Sequence, residues 1–156
     1  MADSILEKIS QNLLTTLNEM SIANGYSANI LFSRPLRKGR DPLPDTGVLF
    51  LTQLQETAEQ DVSNQLQRWI ASYEIEIYLF FSEDLTTTVD SSKANIFADI
   101  TKLLMTDAQR GVPHLAFDTF VNGFESFMDA EGSFEGISIE FDVDFRVFRN
   151  DPYITG

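Results

Sequence analysis

Apolar residues recur every four positions at the start of the chain. Ile5, Ile9, Leu13 and Leu17 form a stripe that Leu6 and Met20 widen, which predicts an amphipathic helix over about 4–23. Ser4 and Glu7 have the spacing of a capping box, and Asn24-Gly25 supplies a left-handed stop. Residues 26–33 alternate loosely and predict a strand. The connection over 34–46 holds Pro35, Gly39, Pro42 and Pro44, which suit neither a helix nor a sheet ladder. A second strand is expected at 47–55 and a polar turn at 56–65. Over 66–81 the period is two: Tyr73, Ile75, Ile77, Leu79 and Phe81 share one face, while Glu74 and Glu76 share the other. Phe80 breaks the polar face and suggests that this end is covered on both sides.

A Thr-rich link over 84–92 leads to a second helix at about 91–106, with Asp90 or Ser91 as N-cap and Ile96, Phe97, Ile100, Leu103 and Leu104 on its apolar stripe. Gly111-Val112-Pro113 ends any continuation. A Phe-rich strand is expected over 115–127, then a turn at 129–133. The strand at 137–148 has the clearest pattern of all. Ile137, Ile139, Phe141, Val143, Phe145 and Val147 lie on one face; Ser138, Glu140, Asp142, Asp144 and Arg146 lie on the other. Twelve residues span roughly 40 Å, so this strand should overhang its domain or continue a sheet with another chain. The order α-β-β-β-α-β-β predicts an α+β fold, a helix-flanked and largely antiparallel sheet in a single domain over 1–156.

Charge sharpens the picture. With 24 acidic and 11 basic residues the chain carries −13, which opposes non-specific binding to nucleic acid or anionic membrane. The imbalance is local: residues 1–73 have 8 acids and 6 bases, residues 74–156 have 16 and 5. Four of the first six bases, Arg34, Arg37, Lys38 and Arg40, crowd into the proline-rich connection. There is no cysteine, so disulfides, thiolate chemistry and Cys-based zinc sites are excluded. Met1-Ala2-Asp3-Ser4 has no basic n-region, which argues against a signal peptide, and no apolar run approaches a membrane span of ~18 residues.

Candidate chemistry is sparse. His114 is the only histidine and has no nucleophile or partner base at motif spacing. Glu140, Asp142 and Asp144 repeat every second residue, about 7 Å apart on one strand face, close enough to share a hard cation if a loop added oxygens. As a plain alternative, they form the solvated face of an amphipathic strand. Residues 129–135 lack the ligand spacing of an EF-hand, and Gly39, Gly132 and Gly136 belong to no phosphate-binding loop. The basic connection lacks an interleaved aromatic for base stacking. It reads as a solvated loop, as a contact for an acidic protein surface or as a phosphate contact. No catalytic constellation, metal or cofactor is expected.

Taken in order, these features resemble the tail terminator (tail completion) proteins of long-tailed bacteriophages, of the lambda type. The resemblance spans nearly the whole chain. It includes the opening helix ending in Asn24-Gly25-Tyr26, the Arg-rich connection ending Leu43-Pro44, paired strands, one helix and a closing hairpin. The alternating strand 137–148 runs into Arg149-Asn150-Asp151-Pro152-Tyr153, similar to the aromatic strand and Asp-Pro-Tyr tail that close many family members. The chain departs from the family at Leu43-Pro44-Asp45-Thr46-Gly47-Val48, where Leu-Pro-Ala-Val is common. The resemblance implies a non-enzymatic virion protein at the tail–neck junction. It would form a hexameric ring that caps the tail tube, stops tube growth and joins head-completion or neck proteins, with DNA passing through unbound.

On that reading Arg34, Arg37, Lys38 and Arg40 are expected to dock a neighbouring subunit or partner. The tail over 149–156 offers a contact through Asp151, Pro152 and Tyr153, and Glu74, Glu76, Glu140, Asp142 and Asp144 are candidates to line the lumen. Two other readings are a head-completion or neck ring, and a cytosolic α+β module that binds a ligand or peptide through the Phe-rich 115–127.

Overall fold

The computed structural model describes residues 2–34, 49–58, 65–80, 89–128 and 134–155. The fold is α+β: two helices, α1 (Ile5–Leu17) and α2 (Val89–Thr106), with strands β1 (Phe32–Ser33), β2 (Leu49–Ala58), β3 (Leu66–Phe80), β4 (Asp118–Met128), β5 (Phe134–Phe148) and β6 (Asp151–Thr155). The sheet runs β1-β2-β3-β5-β4, with β6 pairing β5. Every pairing is antiparallel except β1 with β2.

The long strand is the centre of the sheet, not its overhang. On one side β5 pairs with β3 along its full length, from Phe134 opposite Phe80 to Phe148 opposite Leu66. On the other side it pairs with β4 from Glu135 to Asp144 and then with β6 at Val147 and Phe148. The expected uncovered edge is therefore absent from β5, because the tail folds back as a sixth strand and takes the length β4 leaves. Among the described residues the long open edges lie on β4 and on β2 beyond the two residues that β1 covers; the short β1 and β6 each have one open edge as well.

Both helices cover one face. Ile137, Ile139, Phe141, Val143, Phe145 and Val147 are all buried, together with Ala71, Tyr73, Ile75 and Ile77 of β3. Against them pack Ile5, Ile9, Leu13 and Leu17 of α1 and Ile96, Ile100, Leu103 and Leu104 of α2. Each such side chain contributes roughly 1.5–3 kcal/mol by leaving water. Tyr73 stacks on Phe141 with ring centroids 5.4 Å apart, and its hydroxyl lies 2.8 Å from Ser10 Oγ. Ser10 donates to the Leu6 carbonyl (3.1 Å), so the Tyr73 hydroxyl donates to Ser10 and pins α1 to the sheet. At the far end of this face Lys93 of α2, almost fully buried, reaches Glu135 at 2.5 Å.

Several boundaries differ from the sequence reading. The first helix stops at Leu17 rather than 23, because Asn18 turns its amide to β1: Oδ1 accepts from Phe32 N (2.6 Å) and Nδ2 donates to Phe32 O (3.2 Å). Met20 still joins the core through the turn that follows. Asn24-Gly25 closes a short 3₁₀ turn over Ile22–Asn24, with Gly25 at φ 88°. Ser4 caps α1 through Glu7 N (3.2 Å). Residues 26–31 are not strand. Ser27 bonds through both its backbone N–H and its hydroxyl to Asp99 of α2, so the segment follows the helix, and only Phe32 and Ser33 pair. The second helix begins at Val89, placing Asp90 and Ser91 inside its first turn rather than at its cap. The second strand runs on to Ala58, so residues 56–58 of the turn expected at 56–65 continue the pairing with β3 instead. Residues 59–64, the turn at 129–133, the Phe81 face position and most of the link over 84–92 lie outside the described residues.

β4 starts at Asp118 and contains a bulge between Val121 and Gly123. Before the bulge Thr119 and Val121 face the core; after it Phe124 takes that side, half exposed at its rim and against Phe97 at 4.6 Å. One extra residue exchanges the faces, so the Phe-rich stretch shows no strict period of two.

Gly136 is required for space. A Cβ there would overlap both the Phe127 ring and the backbone carbonyl oxygen of Ile77, and the latter is fixed in strand β3. Gly136→Ala should therefore lower stability by about 2–4 kcal/mol, within the range of severe overpacking, as read by denaturant unfolding. A loss below about 0.5 kcal/mol, typical of surface substitutions, would contradict this packing.

Candidate functional site: an acidic sheet face

The register that buries the odd residues of β5 turns its even residues outward, beside the even residues of β3. Glu74 lies directly opposite Glu140, Glu76 opposite Ser138 and Ser72 opposite Asp142. Like charges in facing positions repel, and hydroxyl donors offset this. Ser138 Oγ donates to Glu74 (2.7 Å), Tyr78 OH to Glu76 (2.8 Å) and Ser72 Oγ to Asp142 (2.6 Å). Glu140 is exposed and has no such donor among the described residues. Four of the five acids singled out by the alternation are thus brought together on one solvent-facing surface.

The fifth, Asp144, behaves differently. It is 5% exposed, and both of its oxygens are held by Arg68, Nε at 2.8 Å and Nη2 closer still. This fork-to-fork pair makes Asp144 a structural anion. Arg68 was missed in the sequence reading. The signal lay in the register: Arg68 shares the outward parity of Glu74 and Glu76, and sits two residues before Ile70, which faces Asp144.

The hydroxyl of Tyr78 is tuned by the same face. Burial, then its bond to Glu76 and the charges of Glu76 and Glu74, push its pKa up to about 12. It therefore remains a donor to Glu76 well above neutral pH. Beside Gly136 the Tyr78 and Phe127 rings meet edge to face at 5.3 Å and close this end of the patch.

The other candidates separate from this face. Arg34 is exposed and pairs with Glu7 at 2.7 Å, so it is tied to α1; Arg37, Lys38 and Arg40 lie outside the described residues. Asp151, Pro152 and Tyr153 form part of β6, with Asp151 accepting from Tyr153 N (3.1 Å), so the tail is a sheet strand rather than a free arm. His114 is exposed on a loop, its Nδ1 2.8 Å from the Gly111 carbonyl. Because a carbonyl only accepts, that nitrogen carries the proton.

No group of three or more His, Asp or Glu among the described residues has the geometry of a metal site. A shallow cleft of about 260 Å³ lies over the β4 bulge, lined by Asn122, Gly123, Glu125, Ser138 and Glu140. What the face offers is fixed negative charge on a rigid sheet. No helix of the described residues is long and apolar enough to cross a membrane. No protein-family model matches the chain, and no curated protein matches it.

The Tyr78 shift has a sign that can be checked. Its pKa is raised above the unfolded value of 10, so its contribution to stability is complete below pH 10 and is lost as pH rises toward 12. Tyr78→Phe should flatten that part of the alkaline stability profile measured by urea unfolding. An unchanged slope between pH 10 and 12 would contradict the assignment.

Proposed function

We propose that the protein is a phage tail terminator: a ring-forming structural subunit that caps the tail tube, stops its growth and presents the surface for head–tail joining. The order of elements carries this reading, above all the long alternating strand that runs into Asp151-Pro152-Tyr153. Two features of the fold support it. The open edges of β4 and β2 lie on opposite sides of the sheet, the arrangement that head-to-tail contacts need in order to close a ring. The acidic face suits a channel wall, since anionic groups repel passing DNA over about one Debye length, ~8 Å at physiological salt, and keep it from sticking. Glu74, Glu76, Glu140 and Asp142 are the lumen candidates; Asp144, buried against Arg68 on the same strand face, is not one of them. The partners on this reading are further copies of the chain, the tail tube protein and the neck proteins.

Three outcomes test it. Six copies multiply a formal charge of −13, so ring formation should be promoted by salt, which screens the repulsion. Electron microscopy of the protein with its tube should show capped, six-fold tips. Monomers alone, at high salt and with tube present, would remove the ring. Arg37→Glu with Lys38→Glu should preserve folding, judged by circular dichroism, and block head–tail joining; a normal yield of infectious particles would exclude the docking role. Glu140→Lys with Asp142→Lys should permit assembly but slow DNA ejection, and unchanged ejection kinetics would make this face ordinary surface.

A further inference from the structure

Strand β5 changes partner on one side, from β4 at Asp144 to β6 at Val147. At that junction lies a pocket of about 220 Å³, lined by Gln109, His114 and Phe117 of the α2–β4 connection, Arg146 of β5 and Thr155 of β6, among others. The Arg146 guanidinium lies over the Phe117 ring, 4.4 Å from its centroid, so one of its faces is covered. Its Nε–H is buried and has no hydrogen-bond partner. The acid nearest along the same strand face, Asp144, is already held by Arg68 through both oxygens. Arg34 and Lys93 have their own carboxylates. In a chain with more than twice as many acids as bases, Arg146 is a cation in a pocket without an anion among the described residues.

We infer that this pocket is a carboxylate-binding site, with Arg146 as its anion-binding group. A guanidinium edge presents two parallel N–H groups to two coplanar oxygens, which a carboxylate matches. The Gln109 amide and the Thr155 hydroxyl line the same space and can complete the donor set. The charge of −13 disfavours a polyanion such as nucleic acid here, whereas a single carboxylate in a small pocket meets little of that field. The carboxylate can come from a small free acid or from an Asp or Glu side chain of a second copy. The inference does not depend on the tail-terminator reading.

The test is proton–nitrogen NMR of the full chain, following the Arg146 Nε–H and the Phe117 backbone amide. Sodium acetate is exchanged for sodium chloride at constant ionic strength. A saturable shift of both signals supports the site with a free acid as its ligand. Signals that ignore acetate but shift with protein concentration, and lose that dependence in Arg146→Gln, support it with a second copy as the source. Arg146→Lys, which keeps the charge and loses the fork, should weaken either response about tenfold. If Arg146→Gln fails to fold, the Nε–H titration of the unsubstituted chain still decides. No response to acetate or to concentration, or a Phe117 response that persists in folded Arg146→Gln, would overturn the inference.

Discussion

Everything else in this fold depends on β5 being satisfied on both edges and buried on one face. Its backbone is paired with β3 on one side and with β4 and β6 on the other. Its odd residues are sealed by α1 and α2. A register slip of one residue would bury Glu140, Asp142 and Asp144 and expose six apolar side chains, so the register has no near-degenerate alternative. With β5 fixed, β3 is fixed, and with both in place the outward residues become a rigid array.

That array has a graded character. Asp144 is locked by Arg68, while Asp142, Glu74 and Glu76 are each steadied by one hydroxyl, and Glu140 projects into solvent. Hydroxyl donors stabilise the carboxylates without neutralising them, which is what a surface that repels needs.

Much of this was legible in the sequence because side-chain parity is a local property. Alternation from Ile137 to Val147 identified both the core face and the acidic face, and the spacing of Ile5, Ile9, Leu13 and Leu17 identified α1. Long-range partners were less legible. That Asn18 would leave the helix ladder depends on the Phe32 backbone arriving beside it. The tail became a strand because β4 stops at Asp118 and leaves β5 unpaired beyond Asp144, a vacancy visible only in three dimensions. The bulge before Gly123 hid the faces of β4, giving Phe117, Phe120, Phe124 and Phe127 a spacing closer to a helix than to a strand. The roles of Arg68 and Arg146 were not legible, because the groups that define them come from other elements.

Among the described residues the long free edges of the sheet lie on β4 and β2, while β5 has partners on both sides. Amide hydrogen exchange, compared between the free chain and the chain capping a tube, tests this directly. The account predicts slow exchange along β5 in both states and new protection at the outward amides of β4 and of β2 on assembly. New protection confined to β5, or no change at β4 in capped tubes, would contradict it.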